Sequence, residues 1–518
     1  MTINIKILTF LFIITSTVCY AKNITTKNSY EKVESFDNGL ARVQREGKFG
    51  FINKKGKEVI ECKYHWINYF NSVSGLASFT DTLKRFGFID KKGNSICGPK
   101  YQAVYDWDNK TGLVYVKRDG KFGFINKSGM EIIPCIYDET NGTPEFFYNG
   151  IIRMKKNGKY GILDKYGKTL VDFEYDYFIG HEWLEGFPKE YLSAKIGKEY
   201  FYINMKTFEV IKTIYEYAGE FKDGMATVMK DNKYGYINTS FSLIIPCIYN
   251  VTRNFSEGIA SVVDSSGKWG YIAKGGQVIV PCIYDNGHEF SCGRAMVTQD
   301  SLVGFIDKTG KLTIPLRFDY SSFSDYNYKR KHGFQDGICA IRKNGKQGLI
   351  DTSGNVLLDL KYDRIIFATD YQLNLGDWFP IAENYALAII DKKFFVVKKA
   401  GNLIDKNNST HPIYFVENIS YICDSTDNCG FINEKGNLII PFSYDYYEYS
   451  TFKNGYAVVK KNNKFGIIDN KGKIVLPTNY NELTNFNDKL AKATLNGTIY
   501  FINKKGKVKL TISANRQQ

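Results

Sequence analysis

The stretch Gly50-Phe-Ile-Asn-Lys-Lys-Gly56 decides the fold of this 518-residue chain, because it recurs along nearly the whole length. It returns as Gly87-Phe-Ile-Asp-Lys-Lys-Gly93 and again as Gly123-Phe-Ile-Asn-Lys-Ser-Gly129. The first position of the motif falls in turn on Gly50, Gly87, Gly123, Gly161, Phe201, Gly235, Gly270, Gly304, Gly348, Phe395, Gly430, Gly466 and Tyr500. A period of about 35 residues over thirteen copies predicts a repeat architecture.

Each copy has the pattern of an antiparallel β-meander. Around Gly466, residues 455–460, 464–468 and 473–476 are rich in strand-forming side chains. Asn462-Asn463 separates the first two segments and favours a tight turn, since asparagine tolerates positive φ. Pro477 follows the third segment and cannot donate to a ladder, so that strand ends there or lies at an edge. The sequence therefore predicts an all-β tandem array of about thirteen three-stranded antiparallel meanders.

The middle strand of the predicted meander is apolar on both faces. Phe49 and Phe51 share one face, whereas Gly50 and Ile52 share the other, because side chains alternate along a strand. A single small sheet cannot cover both faces, so each repeat needs a neighbour stacked on it. Gly50 has no side chain, and we expect a neighbouring ring to lie against its backbone.

Three linked motifs carry a resemblance to a known family. They are Lys268-Trp-Gly-Tyr-Ile272, Ile133-Pro-Cys-Ile-Tyr-Asp138 and Phe255-Ser-Glu-Gly-Ile-Ala260, and variants of each recur in the same order. In this respect the chain resembles the WG-repeat (KWG-repeat) proteins of bacteria. The resemblance implies a structural role for Trp269 and for the motif glycines, and it implies no particular ligand.

The array is predicted to occupy residues 22–518. Insertions near 320–333 and 371–384 lengthen two of the repeats. Two closures agree with the pattern: an open superhelical ribbon, or one or two propeller-like rings, for which about four to eight blades are usual. The lengthened repeats divide the array into two candidate sub-arrays, 22–330 and 331–518.

Residues 1–21 have the pattern of a secretory signal peptide. Lys6 supplies the positive charge, residues 7–14 the apolar core, and Cys19-Tyr-Ala21 a cleavage site, so we expect cleavage after Ala21. The sequence predicts no transmembrane segment in the mature chain, because no second long apolar run occurs. The expected location is secreted, periplasmic or in the cell envelope.

The cysteines point to packing and to one candidate disulfide. Cys62, Cys135, Cys247 and Cys282 occupy one position of the repeat, which elsewhere holds leucine or phenylalanine, so we expect apolar packing there. Cys423 and Cys429 flank a predicted hairpin turn, and a disulfide between them is compatible with an oxidising compartment.

The formal net charge is +15. Many lysines lie in the predicted turns, as in Lys54-Lys55 and Lys504-Lys505, where they favour solubility and protect strand edges. They also suit attraction to an anionic envelope or glycan surface. No basic reader helix or nucleic-acid motif is present, so nucleic acid is not an expected partner.

No pattern of catalytic residues stands out from the repeats. The histidines lack metal-ligand spacing, and there is no nucleophile elbow or phosphate loop. The sequence therefore predicts no enzyme activity, no cofactor and no metal site. Trp183 and Trp378 lie off the repeat pattern and are candidate binding aromatics, the alternative being that such rings cover their own loops.

The leading hypothesis from the sequence is a non-enzymatic secreted or envelope scaffold that binds an unknown protein or a surface component. The alternative is a protein that binds carbohydrate or envelope glycan, with weak hydrolase activity as a variant of that role. Repeat coverage favours the first, and the off-pattern aromatic residues favour the second.

Overall fold

The structure of the chain is a computed structural model. It describes residues 24–25, 30–140, 146–179, 190–320, 333–367, 385–390, 393–398, 415–424 and 426–513. Every regular element in these ranges is a β-strand, and the strands form small, mainly antiparallel sheets, which confirms the all-β prediction. We number the sheets 1 to 13 in chain order, one for each copy of the motif.

The first five sheets contain residues 32–212. Sheet 1 comprises β2 (Lys32–Asp37), β3 (Leu40–Arg45), β4 (Lys48–Asn53) and β5 (Glu58–Tyr64); sheet 2 comprises β6 (Trp66–Ile67), β7 (Ala77–Thr80), β8 (Phe86–Ile89) and β9 (Ser95–Tyr101); sheet 3 comprises β10 (Ala103–Trp107), β11 (Val114–Arg118), β12 (Lys121–Ile125) and β13 (Glu131–Tyr137); sheet 4 comprises β14 (Ile151–Lys156), β15 (Lys159–Asp164) and β16 (Thr169–Tyr175); sheet 5 comprises β17 (Tyr177–Ile179), β18 (Tyr191–Ile196), β19 (Glu199–Asn204) and β20 (Val210–Lys212).

The next five sheets contain residues 217–398. Sheet 6 comprises β21 (Tyr217–Lys222), β22 (Met225–Lys230), β23 (Lys233–Asn238) and β24 (Leu243–Tyr249); sheet 7 comprises β25 (Val251–Thr252), β26 (Ile259–Val263), β27 (Trp269–Ala273) and β28 (Val278–Tyr284); sheet 8 comprises β29 (Asn286–Gly287), β30 (Arg294–Gln299), β31 (Leu302–Asp307) and β32 (Leu312–Asp319); sheet 9 comprises β33 (Ile338–Lys343), β34 (Lys346–Asp351) and β35 (Val356–Tyr362); sheet 10 comprises β36 (Arg364–Phe367), β37 (Tyr385–Ile390) and β38 (Lys393–Lys398).

The last three sheets complete the array. Sheet 11 comprises β39 (Phe415–Val416), β40 (Ile419–Cys423), β41 (Asn428–Asn433) and β42 (Leu438–Asp445); sheet 12 comprises β43 (Tyr456–Lys461), β44 (Lys464–Asp469) and β45 (Ile474–Tyr480); sheet 13 comprises β46 (Glu482–Leu483), β47 (Leu490–Leu495), β48 (Thr498–Asn503) and β49 (Val508–Ser513), with β1 (Ile24–Thr25) added. Sheets 11 and 12 are continuous through one pair, Asp445 with Lys460.

Most sheets have four strands, one more than the sequence predicts. The additional strand comes first in the sheet, and in sheet 2 it is only Trp66–Ile67, with Ile67 opposite Phe79. A segment of two residues shows no alternation of its own, and only its pairing defines it as a strand. The predicted meander is therefore the second, third and fourth strand of each complete sheet.

The motif glycine lies on the third strand, directly under a bulge in the fourth. In sheet 7, Trp269 pairs with Tyr284 and Tyr271 with Val280, so the fourth strand advances four residues while the third advances two. A Cβ atom on Gly270 would lie 2.7 Å from the Val280 carbonyl oxygen and 2.8 Å from the Cys282 nitrogen. Glycine is required here because two backbones touch.

The two sheets that lack the glycine and have a described fourth strand also lack this bulge. In sheet 5, Phe201 pairs directly with Lys212, and in sheet 13, Tyr500 pairs directly with Thr511. The side chain at the motif position and the path of the fourth strand therefore change together.

The prediction that a neighbouring ring covers the motif glycine is wrong in most repeats. We expected a neighbouring ring against Gly50, but a Cβ atom there would meet the backbone of residues 60–62 of its own sheet. Rings approach the glycine only as additional neighbours, as where a Cβ on Gly87 would lie 2.7 Å from the Phe79 ring.

Each described core cluster joins two neighbouring sheets. Phe51 packs with Phe70 of sheet 2, their ring centroids 5.1 Å apart, while Ile52 packs into a cluster shared with sheet 13. The third strand is thus covered on both faces, which confirms the two-sided prediction. The core of the protein is a series of layers between sheets.

The first and last sheets are also neighbours. Phe36 and Phe501 form an edge-to-face pair with centroids 4.6 Å apart in the cluster that joins them. Asp488 accepts a hydrogen bond from the Gly39 amide and lies 3.2 Å from Lys54 Nζ.

An interior interface has the same contacts. Asp223 of sheet 6 accepts from the Gly258 amide and lies 2.8 Å from Lys274 Nζ of sheet 7. The contact between sheets 13 and 1 is therefore one more copy of the repeat interface, and it favours the ring-like alternative over an open ribbon.

Prolines and acidic residues protect the outer edges of the sheets. The fourth strand lies at one edge of most sheets, and we call it the outer strand. Its middle position holds a proline in six sheets, an acidic residue in three and Gly98 in sheet 2; the prolines and acidic residues are Pro134, Pro246, Pro281, Pro315, Pro441, Pro477, Glu61, Asp172 and Asp359. Both choices discourage the addition of a further strand. Sheet 13 has Thr511 at this position, and β1 pairs with it in parallel.

The candidate boundary at residue 330 lies beside a continuous interface. Phe305 of sheet 8 and Phe334 before sheet 9 pack with centroids 4.9 Å apart in a shared cluster. The division into sub-arrays 22–330 and 331–518 stays a prediction.

Replacing Gly270 by alanine should lower the free energy of unfolding by about 1–3 kcal/mol, since the added methyl group meets backbone that cannot rotate away. Gly98→Ala is the matched control, because a Cβ there has no neighbour within 4 Å and the expected change is within about 0.5 kcal/mol. Urea unfolding measures both, and equal effects would contradict the bulge argument.

Replacing Asp488 by asparagine should speed amide hydrogen exchange at Gly39 and cost about 0.5–1 kcal/mol, because the charge that holds Lys54 is removed. Asp172→Asn, at an exposed outer-strand position, is the control. If the ends of the array were separate in solution, exchange at Gly39 would be the same in both variants.

Candidate functional site

The lysine of the first hallmark motif and the aspartate of the second bind each other in several repeats. Lys121 Nζ lies 2.5 Å from Asp138, and Lys159 Nζ 2.5 Å from Asp176. Asp138 also accepts a hydrogen bond of 2.8 Å from the Gly158 amide in the next repeat. Burial raises the pKa of Asp138, but these hydrogen bonds outweigh it and hold the pKa below its ordinary value. The recurring Tyr-Asp pair is accordingly a connector between repeats.

The described cysteines are mostly buried or half-buried, two of them form a cross-strand bond, and Cys292 is exposed. Burial raises the pKa of Cys62 and of Cys135 to about 11, so both thiols stay protonated at neutral pH. Cys423 and Cys429 are joined by a disulfide, facing each other on β40 and β41 with Cα atoms 4.0 Å apart.

A groove of about 640 Å³ opens between sheets 2 and 3, and we call it the aromatic groove. Its size is within the range of small-molecule and sugar sites. The lining consists of Asn68, Tyr69, Phe70, Asn71, Leu76, Ser78, Phe88, Val104, Tyr105, Asp106, Trp107 and Phe146. Several of these residues lie on or just after the short first strands, which point the exposed side chains out of the core.

Arg42 supports one wall of the groove. Its buried guanidinium donates to the Ile67 carbonyl at 2.7 Å and to both carboxylate oxygens of Glu34 at 2.9 and 3.1 Å. It lies 4.5 Å from the Trp66 ring centroid and 4.8 Å from that of Tyr69, both cation–π distances. The Arg42 guanidinium therefore holds the half-exposed rings of Trp66 and Tyr69 in place.

Glu34 accepts hydrogen bonds from both Arg42 and Tyr69 and so fixes the two side chains relative to each other. Burial raises its pKa, but hydrogen bonds from Arg42 and from the Tyr69 hydroxyl hold the pKa below its ordinary value. The pKa of Tyr69 is raised by burial and by Glu34. Tyr69 therefore keeps its proton and its orientation at neutral pH.

Asn68 is fixed in the floor of the groove. Its side-chain oxygen accepts from Trp66 Nε1 at 3.0 Å, and its side-chain nitrogen donates to Ser78 Oγ at 2.8 Å. An amide held in this way presents a constant pattern of polar atoms to a ligand.

The opposite wall comes from sheet 3. Tyr105 packs against Tyr115 with centroids 5.2 Å apart and leaves 37% of its surface exposed. Asp106 beside it is exposed, and Phe146 is 65% exposed at the rim. Aromatic faces alternating with amide and carboxylate groups can stack on a sugar ring or hold a peptide side chain and orient it by hydrogen bonds.

The structure does not describe most of the functional residues that the sequence proposes. Trp183, Trp378 and the cleavage site after Ala21 lie outside the described residues. Trp107 is a buried part of the groove floor, packed edge-to-face on Phe88 at 5.8 Å. The motif residue Trp269 is half-buried under Arg253, whose guanidinium lies 4.7 Å from its ring.

The repeat pattern does not reveal Trp66, Tyr69 and Tyr105. They lie on or beside the short first strand, which that pattern does not predict. The signal in the sequence is a second set of off-pattern aromatic residues, each shortly before the recurring ring that Phe70 and Trp107 supply.

Two features are absent from the described residues. No three His, Cys, Asp or Glu side chains within them come together in a geometry that could hold a metal ion. In the same part of the chain, no helix has the length and apolar character that a membrane crossing requires.

The fold and the connectors define the class of the protein, a tandem all-β repeat protein in which each sheet is stabilised by its neighbours. The WG containing repeat family matches eleven stretches of it: 29–49, 49–80, 86–122, 122–160, 200–234, 234–268, 269–302, 304–346, 348–370, 430–465 and 465–498. These stretches cover well over half of the chain, and the chain belongs to this family.

No curated protein matches the chain in sequence. Among solved structures, PorZ, a surface component of the type-IX secretion system of Porphyromonas gingivalis, has 10% identity and a TM-score of 0.20, over 94% of this chain and 81% of that chain. BamB from Moraxella catarrhalis has 13% identity and a TM-score of 0.21, over 57% and 92%. These likenesses carry no argument about function.

Replacing Lys121 by methionine should raise the pKa of Asp138 toward its ordinary value, because the main hydrogen bond to the carboxylate is lost. The folded-state pKa is depressed, so the stabilisation from this pair is present above pH about 4 and disappears as the pH falls through the folded value. Carboxyl NMR titration with urea unfolding at pH 7 and pH 3 measures both effects. Lys127→Met, at an exposed turn position, should leave Asp138 unchanged.

Proposed function

We propose that this protein is a secreted or periplasmic, non-enzymatic scaffold that binds proteins or surface components of the cell envelope. The repeats supply a rigid series of sheets, and ligands bind where side chains leave the repeat pattern. The observation that carries the proposal is the aromatic groove between sheets 2 and 3. Among its exposed rings, Tyr69 is held by Arg42 and Glu34, and Tyr105 packs on Tyr115.

The cost of presenting these rings supports a binding role. Tyr69 and Tyr105 each leave 37% of their surface in water, and Phe146 leaves 65%. An exposed aromatic group gives up the stabilisation of burial, about 1.5–3 kcal/mol for a large apolar side chain. Grouping such rings around a groove is typical of interaction sites.

A second candidate function is glycan binding, and the polar atoms of the same groove favour it. Asn68 and Asp106 lie between the exposed rings, and Asn68 is held by Trp66 and Ser78. Sugar rings offer apolar C–H faces to aromatic side chains and hydroxyl groups to amides and carboxylates. In this form the protein would retain glycans and not proteins.

The double variant Tyr69→Ala, Tyr105→Ala should lose retention of its envelope partner by about tenfold or more, because anchor rings at an interface commonly contribute above 1 kcal/mol each. Tyr166→Ala is the control, since this tyrosine of sheet 4 is 73% exposed and lies outside the groove. Affinity capture from envelope extract and a glycan array separate the two functions. Equal retention by both variants would refute the proposal that the aromatic groove binds the partner.

Location and lack of catalysis are tested separately. Fractionation of cells that express the full chain should place it outside the cytoplasm, in a form that begins after Ala21. Turnover of any substrate that a single substitution abolishes would overturn the non-enzymatic proposal.

A further inference from the structure

The turns between the third and fourth strands form one row along the array. In many repeats the glycine of this turn lies over the fourth strand of the preceding sheet, as Gly93 does over Ile60 and Gly472 over Ile440. The turn lysine Lys54 reaches back to Asp488 of sheet 13 in the way that Lys274 reaches back to Asp223 of sheet 6. These turns therefore project from the same end of their sheets.

Four of these turns form a run of positive charge, which is highest in sheets 13 and 1, where each turn has three lysines and no carboxylate. They are 469–473 (Asp-Asn-Lys-Gly-Lys), 503–507 (Asn-Lys-Lys-Gly-Lys), 53–57 (Asn-Lys-Lys-Gly-Lys) and 90–94 (Asp-Lys-Lys-Gly-Asn). They belong to sheets 12, 13, 1 and 2. In the sequence they lie at opposite ends of the chain, but the contact between sheets 13 and 1 makes them consecutive. We call this row the basic arc.

The turn geometry leaves the lysines of the basic arc free to bind. The Asn53 side-chain oxygen accepts the amide hydrogens of Lys55 and Lys57, at 2.9 and 3.1 Å, which fixes the turn without using the lysine charges. Lys55, Lys57, Lys505 and Lys507 are exposed, and none forms an ion pair with another described residue. Lys54 is already paired with Asp488.

The carboxylates in the arc serve their own turns. Asp90 accepts from the amides of Lys92 and Asn94, and its second oxygen accepts from the Asn94 side chain. The arc keeps an excess of positive charge because lysines outnumber these carboxylates.

The other described turns of this kind carry less positive charge than those of sheets 13 and 1. Those of sheets 4 and 8, residues 164–168 and 307–311, hold two lysines and one aspartate, and those of sheets 6 and 9, residues 238–242 and 351–355, hold no lysine. Solubility alone would not require three lysines in each of two neighbouring turns. The asymmetry is a charge pattern that suits a partner of opposite sign.

We propose that the basic arc binds an acidic polysaccharide that crosses sheets 12, 13, 1 and 2. The proposal rests on the proposed function, because it names the chemical class of one surface component that the scaffold binds. Turns on sheets stacked about 10 Å apart span about 30 Å, which suits a linear polymer with repeated anionic groups better than a single small anion. Sheet 2 contributes both to the basic arc and to the aromatic groove.

The composition of the four turns argues against two other anionic partners. They contain no aromatic or large apolar side chain, so they offer nothing to insert into a lipid interface and no platform for base stacking. An acidic polysaccharide needs neither feature, because its carboxylate or sulfate groups can bind to the exposed lysine ammonium groups alone.

The experiment compares two variants of the full chain with equal loss of charge. In the arc variant, Lys55, Lys57, Lys505 and Lys507 are changed to serine. In the control variant the changes fall on Lys198, Lys230, Lys343 and Lys461, exposed lysines beside the hairpins between the second and third strands, at the opposite end of the sheets. Binding to polygalacturonate, dextran sulfate and neutral dextran is measured by titration at two salt concentrations.

The parent should bind both acidic polymers and not neutral dextran, more weakly at high salt. The arc variant should bind about tenfold more weakly, while the control variant should change less than about threefold. Changing the same four arc residues to arginine should preserve binding, which excludes a folding defect as the cause of the loss.

Equal losses in both lysine-to-serine variants would overturn the proposal, because net charge alone would then explain binding. Tighter binding to phosphatidylglycerol vesicles or to DNA than to the acidic polymers would overturn it as well. The measurements use purified protein, so they remain valid whether or not cell fractionation supports the proposed location, and they are independent of Tyr69 and Tyr105.

Discussion

The contact between two backbones at the motif glycine is the constraint on which the rest of the structure depends. The fourth strand bends over the third at this point, and a Cβ on Gly270 would lie within 3 Å of a carbonyl oxygen and an amide nitrogen of that strand. Sheets 5 and 13 show the converse, since an aromatic residue takes the place of the glycine and pairs directly with a residue of the fourth strand. The bulge also places a proline or an acidic residue at the middle of many outer strands, where the edge would otherwise invite another strand.

The repeats are joined at both ends of the sheets by polar contacts and between the sheets by apolar layers. At one end the motif lysine and the Tyr-Asp carboxylate connect a sheet with the next hairpin, as Lys121 and Asp138 do with Gly158. At the other end an acidic turn residue holds the glycine amide and a lysine of the following sheet, as Asp223 does. Asp488 makes this second contact from sheet 13 to sheet 1. The array therefore returns to its starting point through an interface of the ordinary kind.

The surfaces proposed to bind ligands are departures from a pattern that otherwise serves packing. The aromatic groove uses the short first strands of sheets 2 and 3, where Tyr69 and Tyr105 point away from the core. The basic arc uses turn positions at which the backbone accepts many side chains, because the opening Asn or Asp satisfies the turn by itself. In both cases the scaffold fixes the place and the variable residue supplies the chemistry.

The sequence by itself determined the number of repeats, their β-strand composition, the two apolar faces of the third strand and the family. These features follow from local patterns of alternating side chains, turn residues and glycines, and these patterns recur in each repeat. Only the tertiary structure decided the additional first strand, the backbone that covers the glycine, the neighbours of the groove rings and the meeting of the two chain ends. Those features depend on contacts between residues far apart in sequence, such as Phe36 with Phe501, for which a local pattern has no signal. The basic arc is the clearest case, because its halves lie at opposite ends of the chain and become one surface only when sheets 13 and 1 pack together.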